Sequence, residues 1–503
     1  MRQELDSLKI GMRKIINNLL KFKENLPLPE EKNFWLLVSF IIKLQFLLIY
    51  IYVSTGFQDG FLYKFTKTSN DTFSYINPIE TLIETGNYDP DFRMPGYGWF
   101  YFILRLFFSK SVVFVLVPIL QTILAAFSVY ILAIISLKLL KSNLIFYITF
   151  FVYLLSFNVS YYDPYLLTES FTLSALIFSV YLFLNGEKNK ISLIFSGFFL
   201  TWAIFMKPVL FPLLLVFFGF SLVKGLRYYQ GKIMTLKLLL YFTTPFLIIE
   251  SVWVIRNYMK HDKIFFLTKS IYVPEIEDNF YKSIFEFSRA IGISQTGWEP
   301  SSPRNFFHPE KKFRNPVPLK FSDEIFTSQF NMDSLQLVRN DIVLFLDTNP
   351  TTEQKLKLND RIIERLDRYK ESVKNEKPFL YHMKSRINTC ILFFGHPGIY
   401  NLFGRATYEL NKFEIVVKAL YALLYIVVVG FGMIGLFYMF IFNLSKFNEL
   451  FFLSSIGLYL ALIHPLVLKM EEYRYILPAY PFLVIACVGF LYKLSNVFFR
   501  KNE

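Results

Sequence analysis

SVVFVLVPILQTILAAFSVYILAIIS, residues 111–136, contains no charged side chain. A helix rises about 1.5 Å per residue, so a run of this length crosses the ~30 Å hydrocarbon core of a bilayer. Comparable apolar runs recur along the 503 residues, centred near 44, 124, 150, 178, 199, 216, 247, 427, 459 and 486. Ten spans are expected, with the third to sixth short enough that a pair there could form a re-entrant hairpin. Backbone groups in lipid must be bonded within their own segment, which makes the expected fold an all-α polytopic membrane protein.

The short loops set the expected orientation. With the N-terminus inside, the inner loops carry 19 Lys and Arg in 76 residues and the outer ones 8 in 78. Positively charged loops stay in the cytoplasm, so both termini are expected inside and residues 256–412 outside, in the cell's inner (plasma) membrane. The net charge of +14 is explained by this bias and by anionic head groups. No Arg-rich tail or basic patch interleaved with aromatics is present, which argues against nucleic acid as a partner. The first 33 residues lack the apolar core of a signal peptide, and residues 8–20 form an amphipathic pattern suited to the inner leaflet. Cys390 and Cys487 are too far apart in the topology to pair. The five histidines show no zinc-ligand spacing.

The chain divides into an N-terminal membrane domain, 1–255, an extracytoplasmic insertion, 256–412, and C-terminal membrane helices, 413–503. The first outer loop, 55–110, carries two short apolar stretches, residues 76–83 and 98–108, expected to lie as helices in the interface. The insertion is polar, with Trp298-Glu299-Pro300 and Pro316-Val317-Pro318 as punctuation. Helical spacing of Leu356, Ile362, Ile363 and Leu366 predicts a helix over 352–374. A second, more apolar helix over 378–394 is expected on the membrane face. No internal repeat is visible, whereas secondary transporters usually carry one.

Candidate chemistry lies in the outer loops. Asn70-Asp71-Thr72-Phe73-Ser74-Tyr75 is followed by Gly86-Asn87-Tyr88 and Arg93-Met94-Pro95-Gly96-Tyr97. Asp71 has two open readings: a cap on a helix starting near Thr72, or a base able to take a proton from a hydroxyl. Arg93, ahead of a rigid Pro-Gly turn, is either an interfacial anchor or a phosphate ligand. Glu169, where Leu166-Leu167-Thr168-Glu169 opens the fourth span, is costly there unless it faces a polar cavity or complements the helix dipole. Asp163 reads as a turn residue. Lys207-Pro208 holds the only cation of its hairpin, Arg256-Asn257 reads as the end of the seventh span, and Arg474 lies in Glu471-Glu472-Tyr473-Arg474-Tyr475. Lys43, inside the first span, fits none of these groups.

Together these segments resemble the C-type membrane glycosyltransferase superfamily, in the branch of protein O-mannosyltransferases and the bacterial aminoarabinose lipid A transferase. The resemblance rests on the acidic start of the first loop, Gly-x-Tyr, basic-x-Pro-Gly-Tyr, Leu-Leu-Thr-Glu, Lys-Pro, Arg-Asn and Arg-Tyr-x-Leu-Pro-x-Tyr-Pro, in that order. It covers the membrane part and not the insertion. It implies an enzyme that moves a sugar from a polyprenyl-phosphate donor to a hydroxyl of a lipid, glycan or protein acceptor, with inversion. Asp71 would be the base and Glu169 the second acid, with Arg93, Lys207, Arg256 and Arg474 around the phosphate. Many relatives begin the first motif with Asp-Glu, whereas Thr72 follows Asp71 here. No cofactor is therefore expected to be required, and a divalent metal, though possible, is not supported by these residues. The competing readings are a flippase for a lipid-linked saccharide and a non-catalytic membrane scaffold.

Overall fold

The structure, a computed structural model, describes residues 26–55, 66–90, 93–186, 189–228, 232–262, 264–267, 280–292, 306–307, 321–347, 351–398, 402–403 and 407–500. The amphipathic 8–20 stretch and both Pro-rich stretches of the insertion lie outside these residues. Helices dominate, and among the described residues the only β pairing is two isolated bridges, Lys67 with Tyr165 and Thr327 with Phe330.

The apolar runs fold as helices because lipid offers the backbone no other partner. They are α1 (Lys32–Thr55), α4 (Lys110–Leu140), α5 (Asn143–Leu154), α6 (Thr168–Asn185), α7 (Lys190–Met206), α8 (Pro212–Tyr228), α9 (Lys232–His261), α14 (Lys412–Asn443), α15 (Glu449–Leu462) and α16 (Tyr480–Arg500). Among the described residues eight such segments are long and apolar enough to cross a membrane, and α5 and α7 are the shorter pair. The chain is an all-α polytopic membrane protein. The first loop supplies α2 (Asn70–Thr85) and α3 (Gly96–Arg105). Arg105 binds Glu80 through Nε at 2.9 Å and Nη2 at 3.0 Å, clamping α3 to α2. Gly86 takes the left-handed conformation (φ 74°) that ends α2, a geometry costly for other residues.

The insertion builds a second hydrophobic core from α10 (Phe280–Ile291), α11 (Met332–Asp347) and α12 (Thr352–Glu376). Phe287, Phe330, Val338, Ile342, Ile362 and Leu366 meet there. Thr351 and Gln354 cap α12 reciprocally. A π-helical turn then leads into α13 (Ser385–Gly395), which docks on the membrane part: Arg386 Nε donates to the Leu466 carbonyl at 3.0 Å. Lys469, just past α15, reaches back to the carbonyls of Tyr381 (2.8 Å) and Arg289 (3.2 Å). The insertion thus sits on the bundle end where α2, α3 and the start of α6 gather.

Candidate functional site

Asp71 is not the cap of α2. Ser69 holds that position, and its backbone N–H donates to Thr72 Oγ1 at 2.9 Å. Thr72 Oγ1 in turn donates to the Leu166 carbonyl at 3.0 Å, fixing α2 against the segment that leads into α6. With Ser69 at the cap position and Thr72 bonded to its N–H, the Asp71 carboxylate turns toward the cluster instead of the helix end.

Two guanidiniums meet it there. Arg93 Nη2 lies 2.8 Å from Asp71 Oδ1, and Arg474 Nη1 lies 2.7 Å from Oδ2. Each arginine is also held from behind. Arg93 donates through Nε to Ser74 Oγ and through Nη1 to Tyr75 Oη, both at 2.9 Å, and stacks 4.5 Å above the Tyr75 ring. Arg474, on the 3₁₀ segment Tyr473–Ala479, pairs its Nε with Glu472 Oε1 at 2.5 Å. The three side chains keep 32, 23 and 21 % exposure for Asp71, Arg93 and Arg474, so one edge of the cluster is open. Burial alone would raise the Asp71 carboxyl. The positive charges of Arg474 and Arg93 outweigh it and hold the group below its ordinary value.

A second ion pair adjoins the first. Glu169 Oε1 accepts from Lys207 Nζ at 2.8 Å, and the Glu169 side chain is only 3 % exposed. The acid stands in the first turn of α6, where free N–H groups favour negative charge. Lys207 comes from the turn after α7 and lies 5.7 Å from the Tyr475 ring centre. Arg474 is within electrostatic reach of Glu169 as well as Asp71, so the two pairs form one charged pocket. Glu169 Oε2 and the Tyr97 hydroxyl are buried without a hydrogen-bond partner among the described residues. Tyr97 packs beside Tyr75, with ring centres 5.5 Å apart. The pocket therefore combines fixed cations, two carboxylates and an unused hydroxyl in partly dry surroundings. Such a set can bind a phosphate and exchange a proton with a hydroxyl.

Arg256 departs from expectation. The seventh span does not end at Arg256-Asn257: α9 continues to His261, so Arg256 sits inside the helix. Its partners are Asn257 Oδ1 at 2.9 Å, the Tyr88 carbonyl, and the rings of Trp253 and Tyr88 at 5.1 and 5.4 Å. None of these belongs to the Asp71 cluster. Arg256 instead lies at an apolar groove of about 550 Å³ between α3, α7 and α9, lined by Trp99, Phe100, Trp202, Ile248 and Val252. Pro95 and Gly96 line it too, so the loop that carries Arg93 forms the wall between groove and pocket. Gly96 permits that packing: a Cβ there would stand 2.6 Å from the Phe205 carbonyl carbon.

The pocket thus gathers Asp71, Arg93, Glu169, Lys207 and Arg474 and leaves Arg256 at the groove. The sequence reading missed Tyr75, Tyr97 and Glu472. Tyr75 carried a signal, being four residues after Asp71 on the same helix face. Two other polar residues proved structural. Lys43 is buried against Asp163 Oδ2 (3.1 Å) and Ser160 Oγ (2.9 Å), and Ser170 Oγ donates to Asp163 Oδ1 at 2.7 Å. Asp163 is accordingly a buried ion-pair member rather than a simple turn residue. Among the described residues no group of three or more His, Cys, Asp or Glu is placed to hold a metal ion.

Fold and pocket define a polytopic helical membrane protein with a charged site at one end of its bundle. No protein-family model matches the chain, and no curated protein is similar to it.

Proposed function

We propose that this protein is a membrane glycosyltransferase that uses a polyprenyl-phosphate-linked sugar. The observation that carries the reading is the meeting of Arg93 and Arg474 on Asp71 beside a groove suited to a prenyl chain. The lipid lies in the groove past Arg256, and its phosphate enters the pocket. Asp71 takes the proton from an acceptor hydroxyl, the oxygen attacks the anomeric carbon, and the bond from that carbon to the phosphate oxygen breaks. The electron pair stays on the phosphate, where Arg93 and Arg474 offset the growing charge, and the anomeric centre inverts. Glu169, held by Lys207, orients the sugar through its free oxygen. The reaction faces the outer side of the inner (plasma) membrane, beneath the insertion, and the acceptor is a lipid, glycan or protein hydroxyl. The reaction written this way requires no cofactor.

Sugar transfer from a polyprenyl-phosphate donor in proteoliposomes tests the proposal. Wild-type protein should transfer and Asp71→Asn should not; activity equal to wild type in that variant removes Asp71 as the base.

A further inference from the structure

In the structure the Asp71 carboxylate has only the two guanidiniums as hydrogen-bond partners among the described residues. A carboxylate held by two charge-assisted hydrogen bonds is a poor proton acceptor. Each arginine also has contacts that do not involve Asp71. Arg93 is fixed by Ser74, Tyr75 and the Tyr75 ring, and Arg474 has an ion-pair contact with Glu472 and lies 5.5 Å from the Tyr475 ring centre. What faces Asp71 is one terminal nitrogen of each guanidinium, at the open edge of the cluster.

We propose that Asp71 occupies the phosphate position of its own site, and that an arriving phosphate takes Arg93 and Arg474 from it and so releases the carboxylate to act as base. This deepens the glycosyltransferase reading and rests on it. The exchange is balanced in kind, since an anionic oxygen pair replaces another at the same two donors. Before it, the two arginines hold the carboxyl in its weakly basic form. Once they have turned to the phosphate, burial and the new negative charge both favour the protonated acid. Base strength is then tied to donor occupancy, and the donor binds before the acceptor reacts.

The same geometry makes an unusual demand on a variant. If Asp71 were a strut that orients the arginines, removing its charge would weaken phosphate binding. If it competes for them, removal strengthens binding. The experiment measures binding of farnesyl monophosphate, and separately of inorganic phosphate, to the full chain in nanodiscs. Asp71→Asn should bind farnesyl monophosphate roughly tenfold tighter than wild type, about 1.4 kcal/mol. Asp71→Ser should behave alike, and thermal melts of both variants establish that they are folded. Arg474→Met added to Asp71→Asn should abolish the gain. Glu472→Gln also deletes a negative charge but unseats Arg474, so it should not tighten binding.

A gain for both ligands supports exchange at the phosphate itself. A gain for the farnesyl ester alone supports it with a lipid head group as the source. Unchanged or weaker binding in folded Asp71→Asn overturns the proposal, as does equal tightening by Glu472→Gln, which would be a general charge effect. The two readings also separate. Tighter binding in a protein that transfers no sugar would leave exchange standing without glycosyl transfer, and transfer with weakened binding would do the reverse.

Discussion

Lys43 and Asp163 form an ion pair at 3.1 Å with side-chain exposures of 0 and 4 %. They are 120 residues apart, and the pair ties α1 to the turn that feeds α6. A buried charge that loses its partner costs about 3–5 kcal/mol, whereas removing both charges is far milder. Lys43→Met should therefore lower the melting temperature sharply in detergent. Lys43→Met with Asp163→Asn should recover at least half of that loss. If the double variant melts no higher than the single one, the pair is not what holds the turn.

The arginines should separate by kinetics. Under the proposed reaction, Arg93→Met and Arg474→Met each remove a donor aimed at the leaving phosphate. Losses of about 10²–10³ in kcat are expected, the scale seen for such donors. Arg256→Met, at the groove, should act mainly on KM for a long-chain donor. Steady-state kinetics with donors of two chain lengths would show the split.

The pH profile has a definite sign. Asp71 is held below its ordinary value, so the stability its ion pairs contribute is present above the usual Asp range and is lost as pH falls through the lowered value. The acid limb of kcat/KM, which reports the free protein, should lie at low pH. The limb of kcat, which reports the donor complex, should lie higher if the arginines have turned to phosphate. Coincident limbs would argue that Asp71 keeps its arginines throughout.

Phe379, Met383, Ile387 and Ile391 recur every fourth residue through the π-helical turn and α13, and all four are exposed. The same segment touches the π-helical turn that follows α15, Ile463–Leu468, through Arg386 and Leu466, placing the stripe level with the bundle end. Single tryptophans at positions 383, 387 and 391 should be quenched by brominated lipids, and one at position 388 much less. Uniform quenching would mean that the stripe does not face lipid.

Much of the fold was legible because a long apolar run in lipid has one outcome, and each of the ten runs became a helix. Local pattern also read well in the insertion, where the spacing of Leu356, Ile362, Ile363 and Leu366 pointed to the helix Thr352–Glu376. The end of α9 misled because Arg256 and Asn257 look like an exit from the membrane. The arginine instead lies along its helix among Trp253 and Tyr88, keeping the helical backbone intact for another turn. Asp71 was ambiguous because Asn, Asp, Ser and Thr all cap helices, and only the fold puts Ser69 at the cap position with its N–H bonded to Thr72. The partner of Lys43 and the joining of Arg474 to Asp71 are long-range facts that no local pattern records.

Arg474 and Asp71 are separated by 403 positions in the chain, yet they share one hydrogen bond. During synthesis, then, the pocket waits for a residue made 403 positions after its carboxylate. α2 and α3 can be laid down early, and α6 and α7 can add Glu169 and Lys207. Asp71 still meets only one of its two arginines until the segment before α16 emerges. A chain still short of that segment therefore carries an incomplete pocket, with one guanidinium on Asp71 instead of two.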